Sequence, residues 1–334
     1  MNTPLYSIII PTYNSVGTLL PLLESLEEQR TENTEVIVVD DGSTDGTEEA
    51  LQSFNLRYFK QAKRGGPAAA RNRGAREALG EWFVFTDADT CYNDDTLEKI
   101  IQAIKESDGD AFVGTYAGHP ANPGFMPRYK ALWELITIDE QLLARGGSYI
   151  PYNAWAPRPG IVRRDAFEAV GGFSETFTGA DLEDVEFGYR LIKEGFKIYF
   201  CPAIKIKHHY PATFWKEIRP FARRCRLWMT LERPKGFDAA GEGSLRQATI
   251  HMAGFSAAAL LVPSLLFPVF LLPAALLMLY YFFGNSPFLY RAWKEEGAVF
   301  TLRAALCRWS HTLVMGVFAG LGLVQRIVKG RKHG

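Results

Sequence analysis

Excess charge of either sign is missing from this chain of 334 residues: 37 basic side chains balance 37 acidic ones, so no overall field favours nucleic acid or an acidic partner. Cysteine is scarce. Cys91, Cys201, Cys225 and Cys307 lie far apart with no Cys-x-x-Cys pair, which speaks against a zinc site and a disulfide framework and fits reduced thiols in a cytosolic compartment. Internal repeats and low-complexity tracts are absent as well. No basic segment with a longer apolar stretch precedes the strand-like Ser7-Ile8-Ile9-Ile10, so no signal peptide is expected.

What is present, up to about Gly241, is an alternation of short strands and amphipathic helices, the mark of βαβ units around a mostly parallel sheet. Strands are expected at Tyr6–Ile10, Glu35–Val39, Leu56–Phe59, Trp82–Thr86, Ala111–Gly114 and Ile198–Phe200, and helices at Thr18–Glu28, Ala68–Ala78 and Thr96–Lys105. The segment Glu232–Ser244 holds Pro234, Gly236, Gly241 and Gly243 and reads as a linker. Beyond it the composition changes. Met252–Phe283 carries no charge and exceeds the ~20 residues of a bilayer-crossing helix, yet Pro263, Pro268 and Pro273 leave kinks or a re-entrant bend equally open. Trp309–Val324 is a shorter apolar stretch with Gly316 and Gly320 at helix-packing spacing, read as either a span or an interfacial or buried helix. The tail bearing Arg326, Lys329, Arg331 and Lys332 favours a cytoplasmic C-terminus. The layout is therefore residues 1–231 as the catalytic domain, 232–250 as linker and 251–334 as a membrane-associated helical region.

Chemistry-bearing residues gather where strands end. Asp87-Ala88-Asp89 follows the apolar strand Trp82–Thr86, and two carboxylates one residue apart can reach one hard cation of the Mg²⁺ or Mn²⁺ type that holds phosphate oxygens. Standing alone, the tripeptide is also an acidic turn. Pro11-Thr12-Tyr13-Asn14 and Asp40-Asp41-Gly42-Ser43-Thr44-Asp45-Gly46 close the first two strands, so in a parallel sheet three polar loops share one crevice. Asp41 can accept from the imide of a uracil ring and Tyr13 can offer it an aromatic face, although tight turns select the same residues. Gly65-Gly66-Pro67 then opens a small-residue helix carrying Arg71, whose permanent charge suits a base carbonyl or a phosphate.

In this order and at these spacings, Pro-Thr-Tyr-Asn, Val-Asp-Asp-Gly-Ser-Thr-Asp-Gly-Thr, Gly-x-x-x-Ala-Arg-Asn-x-Gly and Phe-x-Asp-Ala-Asp resemble the inverting family-2 glycosyltransferases of GT-A fold, over the chain to roughly His209. The resemblance implies a nucleotide-sugar donor, with Pro11 and Tyr13 in its site, Asp41 and Arg71 on the base, Asp87 near the ribose and Asp89 on a divalent metal, Mn²⁺ or Mg²⁺. It implies further that Glu183-Asp184 is the acceptor-side acidic pair, with Asp184 as the catalytic base. A histidine near the metal or diphosphate is implied too, and His208 and His209 are both candidates. Two features depart from the family. Ala156-Pro157-Arg158-Pro159-Gly160 replaces a small polar stretch near the acceptor, and Arg223-Arg224-Cys225-Arg226-Leu227-Trp228 lacks the Gln-x-x-Arg-Trp of processive synthases.

The expectation is a membrane-anchored enzyme on the cytoplasmic side of the inner (plasma) membrane. It would transfer one sugar, from a UDP-sugar in preference to other donors, to a hydroxyl of a lipid-linked or cell-envelope glycan. A polyprenyl-phosphate glycosyltransferase and a non-catalytic membrane scaffold remain as alternatives, and the basic segment Phe214–Trp228 could meet anionic headgroups or an acceptor's phosphate. A nucleotidyltransferase is disfavoured because no Gly-rich, basic phosphate loop follows the first strand.

Overall fold

The computed structural model describes residues 4–136, 140–177, 179, 181–231 and 244–330. In chain order its elements are β1 (Tyr6–Thr12), α1 (Val16–Glu27), β2 (Thr34–Asp40), α2 (Thr47–Ala50), β3 (Arg57–Lys60), α3 (Gly66–Glu77), β4 (Trp82–Phe85), β5 (Thr90–Tyr92), α4 (Thr96–Glu106), β6 (Ala111–Tyr116), α5 (Phe125–Glu134), α6 (Glu140–Leu143), β7 (Ile150–Pro151), β8 (Gly160–Arg163), α7 (Arg164–Ala169), α8 (Glu183–Lys193), β9 (Ile198–His208), α9 (Phe214–Trp228), α10 (Leu245–Ser264), α11 (Leu271–Gly284) and α12 (Ser286–Gly330). Contacts divide them into two units. One holds residues 4–123 and 142–210, the other 124–136, 140–141, 211–231 and 244–330, counting described residues only.

The first unit is a mixed sheet flanked by helices, with strand order β3-β2-β1-β4-β8-β6-β9-β5 and β7 paired to β9. Strands β3, β2, β1 and β4 run parallel, as the βαβ alternation predicts, and β6 runs parallel to β9. Strand β8 lies antiparallel between β4 and β6, and β5 and β7 lie antiparallel to β9. The sequence reading misses β5, β7 and β8 because they are two to four residues long and too short to show a period. Every residue of β1 and β2 is buried, since helices cover both faces. Gly74 of α3 has a physical reason: a Cβ there would come within 2.4 Å of Ile9 Cγ2, so only glycine lets α3 lie this close to β1.

The second unit is helical. The uncharged run Met252–Phe283 becomes a hairpin: α10 stops at Ser264, a 3₁₀ turn spans Pro268–Phe270, and α11 returns so that Gly254 lies against Tyr281 and Gly284 against Ile250. Prolines in the turn explain the break. Among the described residues, α12 is the helix long and apolar enough to cross a membrane, and it includes the stretch Trp309–Val324. Gly297, at φ +82° and ψ −178°, divides α12 into the segments 286–296 and 298–330. The expected linker lies mostly on 232–243, outside the described residues, and Ser244 caps α10 by accepting from the Gln247 amide at 3.3 Å.

Candidate active site

Neighbours β2 and β4 leave β1 in opposite directions along the sheet, which makes the C-terminal ends of these strands the topological switch point where open α/β sheets bind ligands. Pro11 sits buried near the end of β1, in register with Val39. The following loop is stitched to the loop after β2. Asn14, at φ +48°, donates its amide to Ser43 Oγ (2.9 Å) and accepts from the Thr44 amide through Oδ1 (2.8 Å). Tyr13 projects from this join, 38% exposed, with the Arg64 guanidinium 3.8 Å from its ring centroid. Asp41 is buried. Its carboxylate accepts from the amides of Gly65 (2.7 Å) and Gly66 (2.8 Å) and from Gln61 Nε2 (2.8 Å), which sets a negative charge against the start of α3.

Arg71, one turn into α3, is buried and bridges two carboxylates. Nη2 donates to Asp87 Oδ1 at 2.7 Å and Nη1 donates to Glu183 Oε1 at 2.9 Å. Burial opposes the charge, but the two acids keep the guanidinium's pKa above its ordinary value. The other oxygen of Glu183 accepts from the Asp181 amide at 2.9 Å, so both its oxygens are committed. Its neighbour differs. Asp184 is half-buried and its one hydrogen bond among the described residues comes from the Val185 amide at 2.8 Å. Burial first, and then the charge of Glu183, push its carboxyl up to about 7.

An aromatic floor fixes these groups. Phe85 of β4 meets Phe173 edge-on at 5.1 Å, and Phe173 lies 4.5 Å from Phe187 of α8, which ties the strand before Asp87 to the helix that begins at Glu183. Gly188 of α8 lets the backbone of Trp155 approach, since a Cβ there would lie 2.6 Å from its nitrogen. Asn72 clamps the same region, accepting from the Phe173 amide at 2.8 Å and donating to its carbonyl at 2.9 Å.

Asp89 pairs with His208, whose Nε2 lies 3.4 Å from Oδ1. That oxygen is buried and, apart from this contact, has no hydrogen-bond partner among the described residues. Burial disfavours ionisation of Asp89, but His208 outweighs it and holds the carboxyl below its ordinary range. The His208 ring stands between Tyr116 and Tyr210, at centroid distances of 4.8 and 4.4 Å. His209 turns elsewhere. Its amide donates to the Asp89 carbonyl at 2.7 Å, while its Nε2 lies 3.8 Å from Cys91 Sγ. A buried carboxylate oxygen without a donor, beside an imidazole, fits a divalent cation. Among the described residues no group of three or more His, Cys, Asp or Glu forms a metal cage.

The structure therefore gathers Asp87, Arg71 and Glu183 into one chain of ion pairs, Asp89 with His208 into a second group, and Tyr13 and Asp41 near Arg64. Sequence reasoning missed Gln61, Arg64, Asn72, Tyr116 and Tyr210. Only the Gly65-Gly66 step, whose amides face Asp41, carried a usable signal at this end of the site.

Sheet order, crevice and paired acids define the fold as GT-A type. Residues 7–171 are a glycosyl transferase family 2 domain, and residues 150–213 match the N-terminal domain of galactosyltransferase. An uncharacterized glycosyltransferase of Haemophilus influenzae is 32% identical over 195 residues, 56% of this chain and 62% of that protein. The succinoglycan biosynthesis protein ExoA of Rhizobium meliloti is 30% identical over 226 residues, 63% of this chain and 66% of that protein. A mannosyltransferase from Pyrobaculum calidifontis, solved with GDP-Man and Mn²⁺, shares the fold at a TM-score of 0.58 and 19% identity, covering 98% of this chain and 88% of its own. The chain spans about half the length of the curated relatives it matches.

Proposed function

We propose that the protein is a metal-dependent, inverting glycosyltransferase that moves one sugar from a nucleotide-diphosphate donor to a hydroxyl acceptor. The observation that carries this reading is the unlike state of two adjacent acids. Glu183 is locked by Arg71 and the Asp181 amide, whereas Asp184 keeps open lone pairs and a pKa of about 7, suited to a general base near neutrality. Asp184 takes the acceptor's proton as the acceptor oxygen attacks the anomeric carbon from the face opposite the departing diphosphate. A single displacement inverts that centre. Glu183 and Arg71 position the base and Asp87, and Asp87 meets the ribose.

Asp41, with Pro11 and Tyr13, receives the base, and uracil is favoured because its imide N–H donates to a carboxylate. Asp89 and His208 would hold Mn²⁺ or Mg²⁺, which when bound offsets the charge on the leaving diphosphate. His209, whose ring lies against Cys91, stands beside this pair. The catalytic domain covers 1–231, residues 232–250 link it to a membrane-associated region from 251 to 334, and the enzyme works at the cytoplasmic face of the inner membrane. The apolar α12 and the similarity to ExoA, named as a succinoglycan biosynthesis protein, support a lipid-linked or cell-envelope glycan as acceptor.

Detergent-solubilised protein should release nucleoside diphosphate from one member of a panel of UDP-, GDP- and dTDP-sugars, in the presence of Mn²⁺ or Mg²⁺. The Asp89→Ala variant should be silent. Donor binding with no release under any metal or acceptor condition would defeat the enzymatic reading, and full turnover by Asp184→Asn would point to an acceptor phosphate in place of a hydroxyl.

A further inference from the structure

The helical unit sets a charged helix beside an apolar one. Arg308, Thr312 and Gly316 of α12 face Gln247, His251 and Phe255 of α10, at four-residue steps on both, so the two helices run parallel and in step. On another side of α12, His311 meets Phe221 of α9 at 4.9 Å between ring centroids, and Gln325 accepts from Arg226 Nε at 2.9 Å. Gly322 lies against the Arg226 carbonyl. Thus α9 accompanies α12 from His311 to Gln325. Its exposed side presents Lys216, Arg219, Arg223 and Arg226, spaced so that they form one row, while Glu217 is buried against Lys130 at 3.0 Å.

The outer surface of the same unit is apolar. The hairpin tip shows Leu265 at 85%, Leu266 at 79% and Val269 at 75% exposure. On α12, Leu306, Val317, Leu321, Val324 and Val328 are exposed along one face about 33 Å long at 1.5 Å per residue. If α12 crossed a bilayer, the α9 row would lie at hydrocarbon depth, where each arginine disfavours insertion by about a hundredfold. The 14 residues of α11 reach about 21 Å, short of the ~30 Å core.

We propose that this surface lies within a single leaflet, helix axes along the membrane plane, with the row on α9 at the phosphates of anionic headgroups. The proposal rests on the membrane-anchored reading above and replaces a crossing with an in-plane seat. Lipid supplies both halves of what the surface asks for, an apolar phase and a sheet of negative charge beside it. A second copy of this chain covering the apolar face is the alternative that the experiment below decides.

The full chain with Cys91 and Cys225 replaced by Ser, carrying either Arg303→Cys or Arg326→Cys, would be bound to sealed vesicles of phosphatidylcholine and phosphatidylglycerol. A membrane-impermeant maleimide should label both positions equally before and after detergent. Protection of one position until detergent is added would overturn the in-plane seat and leave membrane anchoring intact. Failure to bind any vesicle, with a stable dimer in solution, would overturn both. Lys216→Gln with Arg219→Gln should weaken binding to the anionic vesicles roughly thirtyfold and leave binding to pure phosphatidylcholine unchanged. Equal loss on both lipids would also refute the assignment of the row. None of these readouts depends on sugar transfer.

Discussion

The two units both bury aromatic rings, among them Tyr129, Trp133 and Phe288 in the helical one, but they differ in the polar groups they bury and the apolar groups they expose. In the sheet unit the rings of Phe85, Trp155, Phe173 and Phe187 lie inside, and the crevice above them is edged with acids. In the helical unit Gln247, His251, Asn285, Arg308 and Thr312 are buried while leucines and valines face outward. A sheet unit packed this way uses water as its solvent. Burial away from water leaves the polar groups of the helical unit to pair with one another: Arg308 donates to Asn285 Oδ1 at 3.0 Å and His251 meets Thr312 Oγ1 at 2.8 Å.

The largest test of this contrast is Asp184→Asn, which should lower turnover about a thousandfold while leaving the sheet unit folded. It should even melt higher at alkaline pH. A carboxyl raised from 3.8 to about 7 on folding contributes stability below 3.8 and loses it as pH rises through about 7, so the asparagine variant gains only above that range. Calorimetry at two pH values checks this, and a lower melting temperature at both would mean that Asp184 is structural. Next in size is Arg71→Ala, which strands Asp87 and Glu183 beside each other and should cost about 3–5 kcal/mol in denaturant unfolding. A neutral result would break the picture of a site held by that bridge.

Arg308→Ala probes the opposite unit and should destabilise it by about 1–3 kcal/mol in detergent, because Asn285 loses its buried donor. A change near zero would show that the polar interior of the helices is dispensable. The smallest effect is on pH dependence: kcat/KM should fall about tenfold per unit below pH 7 as Asp184 takes up a proton, and a flat profile would remove it as the base.

Parts of this were legible in the residues themselves. The buried parallel strands β1, β2 and β4 announce themselves as apolar runs, and the loops that follow them carry the acids that the sheet brings to one end. Asp184 and Asp89 stand as candidates through motif order alone. The partner of Arg71 was not: Glu183 lies 112 residues away, and no local pattern records a contact made only after the sheet and α8 have packed. The resemblance sets Arg71 on the base, and its motif gives no hint that the guanidinium also bridges two carboxylates. Nor could composition decide between one long span and a hairpin over Met252–Phe283, since an uncharged run of this length suits both.

Arg64 already rests on the ring of Tyr13. A nucleobase arriving at that face has to evict a resident guest, and the eviction sets a toll of about 0.5–1 kcal/mol on the way in. Under the proposed function, donor affinity is thus a contest between an arginine and a heterocycle for one aromatic surface, and swapping residue 64 would retune that contest without touching an acid.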